Sequence, residues 1–318
     1  MSAEDTEIAP ANADARPLDL VCLGEALTEF NQTGTDTYTR GFGGDTSNCA
    51  IAAARQGARV GYISAVGEDA FGDALVQLWL DEGINTDAVA RDASAATGVY
   101  FVSHDASGHR FSYLRRGSAA SRMSAQMLDP NTISRARYLH LSAISQAISQ
   151  SACDTCFTAI DVARANGVVL AYDTNLRTNL WPVRRARAII KETLKLADIV
   201  LPGLDDAQAI FGLTEPDLIV DEILHAGAKV VALTLGADGV LIATATARAK
   251  LPAHRVQALD ATGAGDTFDG AFLARLAAGD DVWVAGRYAN AAAALSTLGY
   301  GAVAPIPRYP QVQDLLRA

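Results

Sequence analysis

The sequence predicts an α/β protein: a three-layer α/β/α sandwich with a mainly parallel central sheet and a small β-sheet lid. Strand-like apolar runs alternate with helical runs along most of the chain, and this alternation is typical of a parallel sheet covered by helices. Half of the 318 residues are hydrophobic, which is enough for a substantial core. Near the middle of the chain the alternation gives way to two adjoining strands, which predicts a second, smaller sheet.

The elements follow in order from residue 18. A strand at LDLVCLG precedes a helix at SNCAIAAARQG, and a strand at RVGYISAVG precedes a helix at FGDALVQLWLDEG. TGVYFVS and HRFSYLRR flank the turn-like DASG and indicate an antiparallel hairpin. Alternation resumes with ARYLHLS, VVLAYD, ADIVLP, AKVVALTLG and VLIATA, and two Ala-rich helices follow Gly263 and Asp280.

Composition limits the classes of partner. Residues 1–17 are polar and acidic without periodicity, so we expect a disordered tail, followed by one domain over 18–318. Twenty-six basic residues against thirty-six acidic ones give a net charge of -10, which repels a phosphate backbone and argues against nucleic acid. Neither a membrane-spanning apolar run nor a secretion signal is recognisable, so we expect a cytoplasmic protein without a membrane partner.

The four cysteines are too few and too scattered for a disulfide framework. Cys153 and Cys156 form a C-x-x-C, but it falls inside a predicted helix over about 149–166, and no second Cys or His pair accompanies it. We interpret both as small buried residues on one helical face rather than as metal ligands.

The strongest chemical signal is the segment DATGAGDTF at 260–268, which leads into an apolar helix. Small residues at Gly263, Ala264 and Gly265 allow a ligand to approach the backbone, and the free N–H groups of a helix start attract an anion such as a phosphoryl group in transfer. Asp266 is placed to accept a proton from an incoming hydroxyl, and it needs no raised pKa to do so. Without further evidence, a tight turn with a helix cap explains the same residues.

DATGAGDTFDGAFLARL resembles the C-terminal signature of the ribokinase-type (PfkB-like) carbohydrate kinases, and GGDTSNCA at 43–50 is similar to their N-terminal signature. The resemblance extends from about residue 19 to the end of the chain. It implies a ribokinase-like kinase domain over 18–318, with lid segments at about 28–42 and 96–118 that close over a sugar. It also implies ATP and Mg²⁺ as cofactors and allows a monovalent cation. Lid strands with an apolar face often pair between subunits, so we expect a homodimer.

The resemblance also implies roles for individual residues at matching positions. Those expected to bind the sugar are Gly43, Gly44, Asn48, Tyr100, Tyr113, Arg115 and Arg177. Those expected at the nucleotide are Asn175, Thr234, Gly236, Gly239 and Asn290. For the two tyrosines, ordinary packing across the hairpin stays an alternative; for the two arginines the alternative is a solvated surface position, and for Asn290 an exposed helix face.

Three segments narrow the expected substrate: GEALTEFN, YLRRGSAAS and DTNLRTNLWP are most similar to the branch of the family that phosphorylates the terminal 6-hydroxyl of 2-dehydro-3-deoxy-D-gluconate. A neutral sugar such as fructose or ribose is the nearest alternative, and a sugar-binding regulator without catalysis is a further one. One departure from the family pattern concerns the metal site, where an Asn and a Glu are replaced by Gly203 and Asp206. Asp206 keeps a carboxylate for Mg²⁺, whereas Gly203 offers no amide.

Overall fold

The computed structural model describes residues 16–105 and 108–317. Residues 1–15 of the expected tail and the centre of the DASG turn, residues 106–107, lie outside the described residues. Within the described part, no helix combines the length and apolar character needed to cross a membrane.

The strands are short and follow the apolar runs of the sequence. They are β1 Leu18–Leu23, β2 Leu27–Gly34, β3 Thr37–Gly43, β4 Val60–Gly67, β5 Val89–Asp92, β6 Val99–Asp105, β7 Gly108–Leu114, β8 Ala136–Ser142, β9 Val169–Asp173, β10 Ile199–Val200, β11 Val230–Thr234, β12 Val240–Thr244 and β13 Arg248–Leu251.

The helices occupy the segments between these strands. They are α1 Asp45–Arg55, α2 Ala70–Asp81, α3 Pro130–Ser134, α4 Ala143–Ala147, α5 Gln150–Ala165, α6 Val183–Leu194, α7 Leu204–Phe211, α8 Pro216–Ala226, α9 Ala264–Ala277, α10 Val282–Ser296 and α11 Tyr309–Arg317. Several begin at a side chain that accepts from free backbone N–H groups. Ser149 accepts from the N–H of Ala152 at 2.9 Å to start α5, and Asp281 accepts from the N–H of Val284 at 2.8 Å to start α10.

The large sheet confirms the predicted mainly parallel architecture. Its strand order is β13-β12-β11-β10-β9-β8-β1-β4-β5. All neighbours from β11 to β5 are parallel, and only β12 and β13 run antiparallel at one edge. Central strands such as β1 and β8 are buried on both faces, as expected for a sheet covered by helices on each side.

Two hydrophobic cores fill the space between this sheet and its helices. One core joins alternate strand residues such as Leu20 and Ile242 to α1, α2, α9 and α10. The other joins the intervening residues, such as Val21 and Leu241, to α5, α6, α7 and α8. The result is the three-layer sandwich, with Cys153 and Cys156 buried as free thiols on α5 as predicted.

The small sheet has the strand order β3-β2-β6-β7. Its β6–β7 pair is the predicted antiparallel hairpin, and β2 joins it in parallel while pairing antiparallel with β3. These strands overlap the segments expected to form a lid. Closure of this sheet over a ligand stays a prediction.

Candidate active site

A cavity of about 680 Å³ lies where the parallel strands end, between the large sheet and the small one. We call it the first cavity. Glu25 follows β1, Asp173 ends β9, Gly203 follows β10 and Thr234 ends β11, and all four line it. In open parallel sheets, ligands bind outside the carboxyl ends of the strands, so this is the expected location for a site.

The start of α9 forms one wall of the first cavity. Gly263 has a φ of 76°, a left-handed conformation, and a side chain there would come within 3.0 Å of the Ala302 carbonyl. Asp260 holds the loop in place, because its carboxyl oxygens accept from the N–H of Thr262 and of Gly301, each at 2.9 Å. The free N–H groups of the first turn therefore begin at a fixed point beside the cavity.

Two helices distant in sequence meet at this wall. Gly270 of α9 packs so closely on α1 that a Cβ on it would lie 2.2 Å from the Cys49 carbonyl. This approach brings the amide of Asn48 to Asp266, where Nδ2 donates to Oδ2 at 2.7 Å. Two predicted site residues that are 218 positions apart are thus joined by one hydrogen bond.

The Asp266 carboxyl has a raised pKa of about 7. Burial is the main cause, because it disfavours the charged form, and the nearby Asp45 carboxyl adds to it. The hydrogen bond from Asn48 and the charge of Arg177 act in the opposite direction. Sequence reasoning required no raised pKa here, whereas in the structure the pKa of this carboxyl lies close to neutral pH.

Arg115 forms a buried ion pair beneath the small sheet. Its guanidinium lies against the carboxylate of Glu25, whose side chain is wholly buried, and Ser118 Oγ donates to the same carboxylate at 2.6 Å. The guanidinium also lies 5.7 Å from the centre of the Tyr113 ring. Arg115 therefore reaches the first cavity with its charge largely balanced by Glu25.

The two predicted tyrosines stack on one another, with ring centres 5.5 Å apart. The Tyr100 hydroxyl donates to the carboxylate of Glu29, and both of these residues are buried. Tyr113 is more accessible than Tyr100, since 40% of it is exposed. Together they form the face of the first cavity that belongs to the small sheet.

Arg177 and Asp206 lie together in the lining of the first cavity. Arg177 Nη1 is 3.6 Å from Asp206 Oδ2, and 49% of its side chain is exposed. Asp206 also accepts from the N–H of Leu176 at 3.0 Å; burial raises its pKa, and Arg177 lowers it. The Oδ1 atom of Asn175 is buried nearby and has no hydrogen-bond partner among the described residues.

A second cavity of about 640 Å³ adjoins the first. Thr234, Ala261 and Gly265 line both cavities. Its wall is mostly small and apolar, and Asn290 fixes part of it by donating to the Leu251 carbonyl at 3.2 Å. The start of α9 therefore stands at the junction of two adjoining cavities.

The family model for pfkB carbohydrate kinases matches residues 18–308 of this chain. The chain belongs to the pfkB family of carbohydrate kinases. It is therefore a phosphotransferase with an alcohol group as acceptor.

Two relatives and one solved structure place the chain within this family. A 2-dehydro-3-deoxygluconokinase of Dickeya dadantii is 32% identical over 312 residues, covering 92% of this chain and 98% of the relative. Fructokinase-1 of Oryza sativa is 31% identical over 316 residues, covering 94% and 98%. A crystal structure of a putative ribokinase II from E. coli, in complex with ATP and Mg²⁺, superposes with a TM-score of 0.88 at 25% identity, covering 94% and 99%.

In this carbohydrate kinase, the residues predicted to bind the sugar all line the first cavity, namely Gly43, Gly44, Asn48, Tyr100, Tyr113, Arg115 and Arg177. Four of the residues predicted at the nucleotide line the second cavity, namely Thr234, Gly236, Gly239 and Asn290. Asn175 lines the first cavity instead, beside Arg177. Gly263, Gly265 and Asp266 line the first cavity, and Ala264 and Gly265 line the second.

Sequence reasoning missed four acidic residues that also line the first cavity. They are Glu25, Asp45, Asp173 and Asp269. Each lies inside a segment that was already singled out, so a search of those segments for further carboxyl groups would have found them. Asp269, for example, is three positions after Asp266, which places both on one face of α9.

Gly203, where the kinase family commonly has Asn, lies at the start of α7 with an ordinary φ of -82°. A Cβ on it would meet only Thr234 Oγ1, at 3.8 Å. Neither the backbone nor the space forces glycine at this position.

Proposed function

We propose that the chain transfers the γ-phosphoryl group of ATP to the terminal 6-hydroxyl of 2-dehydro-3-deoxy-D-gluconate. The observation that carries the substrate proposal is the presence of both Arg115 and Arg177 in the lining of the first cavity. Arginine pairs well with a carboxylate, and an acidic protein that binds a sugar acid has to gather cations locally. The similarity to the relative from Dickeya supports the same substrate.

In this proposal Asp266 accepts the proton of the attacking hydroxyl. The bond from that oxygen to the γ-phosphorus forms while the bond from phosphorus to the β–γ bridging oxygen breaks, and ADP leaves with that electron pair. The N–H groups at Gly263 and Gly265 stabilise the negative charge on the transferring group, whereas the Ala264 N–H donates to the Ala261 carbonyl at 3.2 Å. Asp266 suits the task because its pKa of about 7 leaves much of it ionised at neutral pH.

The second cavity would hold the nucleotide base and ribose, with Thr234, Gly236, Gly239 and Asn290 in its wall. Asp206 and Asn175 fit Mg²⁺, because both offer oxygen ligands in one region and the Asn175 oxygen has no hydrogen-bond partner within residues 16–105 and 108–317. Bound Mg²⁺ would supply neutralising charge for the phosphates. Asp206 also accepts a hydrogen bond from the Leu176 N–H, which fixes the position of this loop.

The small sheet would act as a lid that excludes water from the phosphoryl group. Tyr100 and Tyr113 would then cover the sugar from above. We further propose that this sheet pairs with a second copy in a homodimer, because Tyr38 and Leu114 leave apolar surface exposed on it.

Phosphorylation of a neutral ketose is a second candidate function. The specific observation in its favour is the ion pair of Arg115 with the wholly buried Glu25, which leaves less positive charge for a substrate carboxylate. The similarity to Fructokinase-1, at 31% identity, supports it as well.

The deciding experiment measures ADP formation from MgATP with 2-dehydro-3-deoxy-D-gluconate, fructose and ribose in parallel. We expect kcat/KM for the acid to exceed that for either neutral sugar by at least about 100-fold, a difference of about 2.7 kcal/mol in transition-state binding. A higher value with fructose or ribose assigns the second candidate. Sugar binding without turnover of any of the three indicates a regulator instead of an enzyme.

A further inference from the structure

Within the described residues, the chain passes between the large sheet with its helices and the small sheet at four places. Residues 24–26 lead from β1 into β2, and residue 44 leads from β3 into α1. Residues 93–98 lead from β5 into β6, and residues 115–119 lead out of β7. We call these four segments the crossings. Because the small sheet is covalently attached to the rest of the described chain through them, its position depends on the contacts that they make.

Glu25 belongs to the first crossing and contacts the other three. Its carboxylate lies against the Arg115 guanidinium and accepts from Ser118 Oγ at 2.6 Å, and both of these residues lie in the fourth crossing. Gly98, which ends the third crossing, packs against the same carboxylate, since a Cβ on it would lie 3.0 Å from Glu25 Oε1. Gly44 packs against the backbone of Glu25, since a Cβ there would lie 2.4 Å from the Glu25 carbonyl oxygen. All four crossings therefore meet at one residue.

The Glu25 side chain is wholly buried, although a carboxylate is costly to remove from water. Burial raises its pKa, while the charge of Arg115 and the hydrogen bond from Ser118 lower it. A buried ion pair contributes little net stability compared with apolar side chains of similar volume, so stability alone does not explain the pair. Charged hydrogen-bonding groups differ from apolar contacts in that they fix direction as well as distance. The arrangement therefore suits a residue that holds the crossings in one defined geometry.

We propose that Glu25 is a positioning residue for phosphoryl transfer, because its contacts at the crossings fix the position in which the small sheet closes over the first cavity. This inference rests on the proposed function, since it takes the small sheet to be a lid that keeps water from the γ-phosphoryl group. Glu25 acts through Arg115 and the crossings and takes no part in the transfer itself. Without its charge, the small sheet would close in more than one position and admit water.

Water that enters the first cavity competes with the sugar hydroxyl. The water oxygen forms the bond to the γ-phosphorus, the bond from phosphorus to the β–γ bridging oxygen breaks, and ADP leaves with that electron pair. Asp266 accepts the proton that the water loses, and inorganic phosphate forms in place of sugar phosphate. The ratio of inorganic phosphate to sugar phosphate therefore measures how well the lid excludes water. This ratio does not depend on the fraction of enzyme that is folded, so a loss of stability alone leaves it unchanged.

The test follows both products of γ-labelled MgATP, with the sugar of highest wild-type turnover at saturation. Glu25→Gln keeps the size of the side chain and an oxygen for Ser118, but it removes the charge that holds Arg115. We expect this variant to raise the ratio by at least about tenfold over the wild type. Gly98→Ala, whose methyl group would press on Glu25 Oε1, should raise the ratio in the same direction and serves as the test if Glu25→Gln does not fold.

Asp19→Asn is the matched control, because Asp19 pairs with Arg59 near the other end of β1 and only 12% of its side chain is exposed. It removes the charge from a comparable ion pair away from the crossings, so the ratio should stay within about twofold of the wild type. Ratios in Glu25→Gln and Gly98→Ala that equal the ratio in Asp19→Asn would assign Glu25 a purely structural role and overturn the inference. A wild type that phosphorylates no sugar overturns the proposed function, and the inference falls with it.

Discussion

The pH dependence of kcat/KM should reflect the pKa of Asp266 and the hydrogen bond that Asn48 donates to it. Asp266 acts as a base only when ionised, so kcat/KM should rise with pH through its pKa of about 7 and level off above it. Below that value the rate should fall about tenfold for each pH unit. In the wild type, the Asn48 amide donates to Asp266 at 2.7 Å and so stabilises the ionised form of the carboxylate. Asn48→Ala removes this hydrogen bond.

A hydrogen bond to a charged group contributes about 1.5–3 kcal/mol, and one pKa unit corresponds to about 1.4 kcal/mol. The acid limb of the Asn48→Ala profile should therefore move up by about one to two pH units. Asp45→Asn should move it down, because the Asp45 charge raises the pKa of Asp266. The two variants should therefore shift the pKa of Asp266 in opposite directions.

The assay is ADP release at low sugar concentration between pH 5.5 and 9.5, with Mg²⁺ in excess so that the nucleotide stays in one form. The acid limb of kcat/KM reports the free enzyme, so loss of a sugar contact lowers the plateau without moving the limb. Unchanged limbs in both variants, or shifts in the same direction, would refute the reasoning.

Three further predictions concern stability and substrate charge. Arg115→Met should lower the free energy of unfolding by about 3 kcal/mol, because it leaves the buried Glu25 carboxylate without its cation; urea denaturation measures this, and a loss below about 1 kcal/mol contradicts it. Arg177→Met should change the free energy of unfolding by less than about 1 kcal/mol, since half of the side chain is exposed. It should nevertheless lower kcat/KM for a sugar acid by at least about tenfold. Equal kcat/KM values for the wild type and the variant would exclude a role of Arg177 in binding the acid. Gly270→Ala should lower the free energy of unfolding by about 1–3 kcal/mol, and it should lower activity because it separates α1 from α9. Gly203→Ala has open space around its Cβ, so it should lower the free energy of unfolding by less than about 0.5 kcal/mol.

Much of the fold could be predicted from local patterns. Runs such as LDLVCLG and VVLAYD lie in strands that are buried on both faces, and continuous apolar character is what such strands require. The edge strands β5 and β13 gave no comparable signal. Their sequences, VARD and RAKL, are four residues long, partly exposed and partly charged, and they form because a neighbouring strand offers free backbone groups.

The residues of the candidate site were predictable where a short motif contains them. The contacts between motifs were not, because they depend on how distant elements pack. Nothing near Asn48 indicates that Gly270 lets two helices approach until the amide reaches Asp266. The pairing of Arg115 with Glu25 is equally non-local, and it leaves less of the positive charge of Arg115 available to a ligand. The raised pKa of Asp266 follows from burial, which no single motif reveals.

In the proposed mechanism, the Asp266 carboxylate at the junction of the two cavities takes the proton of the sugar hydroxyl. The most direct test is the kcat of Asp266→Asn at pH 8, with sugar and MgATP both saturating. We expect a decrease of about 10²- to 10⁴-fold, with sugar affinity in calorimetry within about tenfold of the wild type. A variant that binds the sugar normally and retains more than about a tenth of the wild-type kcat would contradict the central claim.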